Sequence, residues 1–176
     1  MKYRLVIAAA VSALMSCLGA ATAAFADDST VTFDVTSGSL TVTVPGAASI
    51  GTGPPGTDIA GQMGNITVTD ARAAADASWT AEVKATDFTS GAGGPGLVVP
   101  ATAVSYSSGP GGGAVGNGTF TPGPVGPLDT AAVHTAFSHV GGTGNNTVTW
   151  NPTLTVTVDQ GNAAGVYSGT VTHSLA

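Results

Sequence analysis

Apolar and polar residues alternate through much of this chain, most regularly from Trp79 to Ala85. Trp79, Ala81, Val83 and Ala85 share one parity and Thr80, Glu82, Lys84 and Thr86 the other, the period of a half-buried strand. Val31, Phe33 and Val35 keep a parity, as do Leu40, Val42 and Val44 after Ser37-Gly38, so the pattern predicts an opening hairpin. Ile66 and Val68 form a short strand before Asp70, and Leu97 to Tyr106 is a further strand interrupted at Pro100. Val148, Trp150, Leu154, Val156 and Val158 keep one parity against a file of threonines, and Tyr167, Val171 and Leu175 keep a parity of their own in a final strand, Gly165 to Leu175. Pro152 stays in phase but cannot donate a ladder hydrogen bond, so the strand should bend there, at a bulge or an edge.

Between these segments lie Gly- and Pro-rich connections. Ser107 to Pro127 reads as a long loop with one short strand near Thr119-Phe120-Thr121, and Ala71 to Ala75 as a single helical turn leading to Trp79. About seven to nine short strands with no alternating helices predict an all-β fold, a single immunoglobulin-like antiparallel β-sandwich.

The N-terminus changes the picture of where the domain begins. Lys2 and Arg4, an apolar run from Leu5 to Leu18, and Ala24-Phe25-Ala26 before Asp27-Asp28 have the form of a secretory signal cleaved after Ala26. The mature domain is then residues 27–176. Leu14-Met15-Ser16-Cys17 offers the alternative of a lipobox, with Cys17 as a lipidated terminus. With cleavage after Ala26 the single cysteine leaves with the leader, and a mature chain of about 150 residues is long enough to bury a core without disulfides. No second apolar run is long enough to span a membrane, and no sorting tail follows the final strand, so surface attachment is expected to be non-covalent.

Charge narrows the function classes. All ten acidic residues follow Ala26, against only Arg72 and Lys84, which leaves a mature net charge of −8. Nucleic acid and anionic lipid are therefore not expected partners, since both need clustered cations.

The segments Trp79-Thr80-Ala81-Glu82-Val83-Lys84-Ala85-Thr86-Asp87-Phe88, Val104-Ser105-Tyr106-Ser107-Ser108-Gly109, Trp150-Asn151-Pro152-Thr153-Leu154-Thr155-Val156 and Gly165-Val166-Tyr167-Ser168-Gly169-Thr170-Val171-Thr172 resemble the WxL-domain cell-surface proteins of Gram-positive bacteria. In that family a tryptophan-x-leucine strand precedes an Asp-Phe step, and a closing strand carries a second tryptophan-x-leucine. Here Ala81 stands at the first leucine position and His173 at the second tryptophan position, while Leu175 supplies the second leucine. The resemblance implies a secreted domain held non-covalently on the cell wall, with peptidoglycan and other surface proteins as partners. The Ala-, Gly- and Thr-rich usage with scarce lysine is similar to that of high-GC actinobacteria.

Trp79, Trp150, Tyr167 and His173 are the candidate binding residues. An exposed indole stacks on sugars, whereas an indole in phase with Ala81, Val83 and Ala85 pins a sandwich core. His173 reads as a half-buried histidine bonded to a neighbouring hydroxyl or carbonyl, or as a pH-responsive group. Opposite parity places His134 and His139 on opposite strand faces, which argues against a shared metal. Asp70 and Asp76 read as solvated turn carboxylates, without calcium-loop spacing. No nucleophile elbow or phosphate loop occurs, so no catalytic residue, metal or cofactor is expected. Asn65, Asn117 and Asn145 head glycosylation sequons. A self-assembling coat- or pilus-like β-subunit is the alternative to a wall-binding module, with Asp27 to Val35 as its donor strand.

Overall fold

The computed structural model describes residues 29–176; the leader and lipobox readings lie outside them. The compact unit spans Asp34–Ala176. Its strands are β1 (Leu40–Thr43), β2 (Asp58–Gln62), β3 (Ile66–Ala74), β4 (Trp79–Ala85), β5 (Phe88–Thr89), β6 (Val98–Val99) and, after a 3₁₀ turn at Ala101–Ala103, β7 (Val104–Ser107). Then come β8 (Gly112–Val115), β9 (Thr119–Pro122), β10 (Gly126–Pro127), β11 (His134–Val140), β12 (Gly144–Trp150), β13 (Thr153–Thr157) and β14 (Val171–Leu175). Every pairing is antiparallel, and the protein is all-β and sandwich-like.

Three four-stranded sheets surround one core, in the orders β1-β3-β12-β8, β10-β7-β13-β2 and β14-β4-β11-β9. The first two continue one another lengthwise. A ladder runs from Asp58↔Thr157 to Gln62↔Thr153, breaks, and resumes at Ile66↔Trp150. Pro152 lies at the break, where it has no ladder bond to give. The chain passes from one sheet to the next there, so the expected bend is a change of sheet. The gap is bridged by Met63 N donating to the Pro152 carbonyl at 3.0 Å and Gly64 N donating to Asn151 Oδ1 at 3.0 Å.

Alternation sorts side chains as the sequence predicts along β4, where Trp79, Ala81, Val83 and Ala85 are buried, and along β12 and β13, where Val148, Trp150, Leu154 and Val156 are. Phe137 stacks on Trp150 with ring centroids 5.0 Å apart. Area burial of side chains this large stabilises the fold by about 1.5–3 kcal/mol each.

Several local expectations are corrected. The opening hairpin is absent: no strand precedes Leu40 among the described residues, and β1 pairs with β3. Gly38 N donates to the Ala71 carbonyl at 2.7 Å and Ala71 N to Ser39 at 2.9 Å, so the anticipated turn lies flat along β3. Ala71 to Ala74 continues β3 and forms no helical turn. Irregular pairing between β3 and β12 puts Ala73 at a positive φ of 51°, where its N–H is held by Asn145 Oδ1 at 3.0 Å. The Ser107–Pro127 loop contains three short strands, and the final strand begins only at Val171. The fourteen strands among the described residues exceed the seven to nine expected, because short pairings such as β5–β6 carry too few residues to show a period.

Candidate functional site

Trp79 and Trp150 are 3% and 1% exposed. Neither presents a ring face to solvent, so as stacking platforms for sugar both are corrected to core residues. Each indole N–H, which can only donate, has a buried acceptor as burial demands. Trp79 Nε1 donates to Asn146 Oδ1 at 2.8 Å, and Asn146 Nδ2 donates to Asp70 Oδ2 at 3.2 Å.

Asp70 is thereby corrected from a solvated turn residue to a buried one, 1% exposed. Arg72 binds both of its oxygens, at 2.9 Å through Nε and 2.8 Å through Nη2, and also donates to the Ser78 carbonyl at 3.0 Å. The guanidinium holds the Asp70 carboxyl below its ordinary range, against the opposing effect of burial. Asp76 does sit at an exposed turn, where its carboxylate accepts from the Ser78 hydroxyl at 2.6 Å and the Ser78 N–H at 3.1 Å.

A second polar group is centred on Tyr106, which is fully buried. Trp150 Nε1 donates to its hydroxyl oxygen at 2.9 Å, and His173 Nε2 lies 3.1 Å from the same oxygen. Burial pushes the Tyr106 phenol up to about 12 and pulls His173 down to about 4. His173 is thus a neutral, half-buried imidazole beside a hydroxyl, and its Nδ1 has no partner among the described residues.

Tyr167 is half-buried, with its hydroxyl 2.7 Å from the Gly96 carbonyl and 2.8 Å from that of Ala163. It ties two loops together. The four candidate binding residues therefore do not assemble into one surface. Leu175 on β14 stands opposite Ala81 on β4, and His173 stands opposite Val83. The large Leu175 faces the small Ala81. In the Asp-Phe step, Asp87 Oδ1 accepts from Ala101 N at 2.9 Å and anchors the 3₁₀ turn.

The parity argument for His134 and His139 fails because β11 bulges between Thr135 and Phe137. The extra residue puts both histidines on the same face, opposite Val83 and Trp79. They remain at opposite ends of that face. His139 is buried between the rings of Phe120 and Trp79, with Nδ1 2.8 Å from the Ala77 carbonyl and Nε2 2.8 Å from that of Asn117. His134 Nε2 meets the Pro124 carbonyl at 2.7 Å. Among the described residues no three His, Cys, Asp or Glu side chains group as metal ligands.

The break at Pro152 builds a different feature, a cleft of about 400 Å³ lined by Asn65, Pro110, Gly112, Gly113, Thr149, Trp150 and Asn151. None of these residues is charged. Asn151 is oriented by Gly64 N and by donating to Gln62 Oε1 at 3.1 Å, and Thr149 by the Thr67 hydroxyl at 2.9 Å. Asn65 is exposed at the rim. The alternation of the sequence gave no sign of this cleft, because its walls come from segments far apart in the chain that meet through the pairing of β12 with β3 and β8.

No family model, curated protein or solved structure matches this chain. Among the described residues no helix is long and apolar enough to cross a membrane.

Proposed function

We propose that this protein is a secreted bacterial cell-surface module that attaches non-covalently to the cell wall through peptidoglycan, with the cleft at the sheet break as its contact. The uncharged cleft, mostly apolar with a few amide and hydroxyl groups, is the observation that carries this reading. Its polar groups are side-chain amides, a hydroxyl and backbone, which match the hydroxyl and acetamido groups of a neutral glycan strand without requiring a counter-charge. Asn65 presents an exposed amide at the rim, while Asn151 and Thr149 are already oriented by protein partners. With both indoles buried, recognition rests on shape, on the apolar walls and on the few hydrogen-bonding groups among them. Single contacts of this kind are modest, and a polymeric wall multiplies them by presenting many copies of the ligand.

Titration of the labelled protein with soluble peptidoglycan glycan fragments tests the assignment by NMR. Amide shifts concentrated at Asn65, Gly112, Gly113 and Asn151, and weaker binding by Asn65→Ala, are expected. Unchanged spectra, or shifts confined to another face, would reject the cleft as the contact.

A further inference from the structure

A second, smaller cleft opens beside the first. It has a volume of about 200 Å³, and its walls include Thr69, Ala71, Val115, Asn145 and Thr147. The two clefts are neighbours along one strand. Thr147 borders the smaller and Thr149 the larger, both on β12 and both of opposite parity to the buried Val148 and Trp150. On one side of β12, Thr69 and Thr67 of β3 stand opposite these two threonines; on the other side, Val115 and Gly112 of β8 do. From Asn145 to Asn151 the chain makes a track on the order of 20 Å long, at about 3.3 Å per residue.

The track is neutral. Asp70 also borders the smaller cleft, but it is buried and its carboxylate is bound by Arg72 and Asn146. Pairing sets threonines in two rows across three strands, Thr41-Thr69-Thr147 and Thr43-Thr67-Thr149. By contrast the outward side of β4, in the third sheet, carries Glu82 and Lys84. A charged polymer finds no counter-charge along β12, whereas a chain of neutral sugars finds apolar walls for its rings and amides and hydroxyls for its substituents.

The track is also set before any ligand arrives. Thr147 donates its hydroxyl to the Val68 carbonyl at 2.7 Å, and the Thr149 and Thr67 hydroxyls share a bond of 2.9 Å. The smaller cleft lies below the range of about 300–1,000 Å³ usual for a ligand pocket. That size suits it to further units of a ligand already held next door.

We infer that the two clefts are successive subsites for one extended, neutral glycan strand lying along β12, the smaller cleft taking sugars beyond those held in the larger. The inference rests on the larger cleft as the wall contact, and adds that a strand is recognised rather than a single disaccharide unit. Each further sugar adds contacts without a second loss of translational freedom. Affinity therefore grows with chain length until the track is filled.

Isothermal titration calorimetry with N-acetylglucosamine oligomers, from the disaccharide to the hexasaccharide, tests this with neutral chains that lack peptide stems. The hexasaccharide should bind about tenfold or more tighter than the disaccharide, the effect of one or two further hydrogen bonds. Val115→Glu puts a charge into the smaller cleft at a residue 62% exposed, so it should melt like wild type. It should bind the disaccharide as wild type does and lose the gain with length. Asn65→Ala, in the larger cleft, should weaken oligomers of every length. A hexasaccharide bound no tighter than the disaccharide, or a full gain with length in Val115→Glu, would overturn the inference and leave the larger cleft as a contact. Absence of binding at every length would reject both.

Discussion

The indole nitrogen of Trp79 on β4 donates to the Asn146 side chain on β12 at 2.8 Å, joining two sheets across the core. Trp79→Phe leaves Asn146 Oδ1 without that donor and should cost about 1–3 kcal/mol. Trp79→Ala adds a cavity and should cost about 3–5 kcal/mol. Urea unfolding distinguishes the two, and a Trp79→Phe protein as stable as wild type would show that the bond contributes nothing.

Asp70 and Arg72 make an acid-sensitive pair. The folded carboxyl titrates below its ordinary value of 3.8, so its contribution is present above about pH 4 and is lost as pH falls through the folded value. Arg72→Met should cost about 1–3 kcal/mol at neutral pH, less than for a fully buried pair because the Arg72 side chain is 35% exposed. It should also flatten the lowest part of the acid unfolding curve, as read by circular dichroism.

His173 acts at higher pH. Its folded value of about 4 lies below the ordinary 6.5, so the unfolded chain takes up the proton first. Stability is fully present above about 6.5 and falls as pH drops from there toward 4, by on the order of 2 kcal/mol. Melting temperature against pH should show this limb in wild type and lose it in His173→Gln. Identical profiles would remove His173 as the cause.

Gly118 has a φ of +97°, and a Cβ there would press on His139 Nε2 and the Gly141 carbonyl. Gly118→Ala should therefore cost about 1–3 kcal/mol from backbone conformation alone, with further loss from displacing His139. Thermal melts give the total, and a neutral effect would mean that β9 shifts freely against β11.

The all-β class was legible because Trp79 to Ala85 and Val148 to Val156 bury every second residue on long strands, where a period has room to show. The failures were local. One extra residue near Ala136 reversed the face assigned to His139 relative to His134, and parity counting has no means of seeing a bulge. Asp70 was missed as a buried residue although the sequence held a signal: Asp70 and Arg72, two apart on a strand, share a face and can pair. Tyr106 as the acceptor of Trp150 was illegible, since the two come from different sheets. The cleft was equally hidden, because Asn65, Gly112 and Asn151 meet only through the long-range pairing of β12 with β3 and β8.

Co-sedimentation with purified peptidoglycan sacculi, at low and high salt, tests wall attachment most directly. Because the cleft is uncharged, the protein should pellet with the sacculi at both salt concentrations, and Asn65→Ala should pellet less while melting like wild type. A protein that stays in the supernatant at both concentrations would contradict the account.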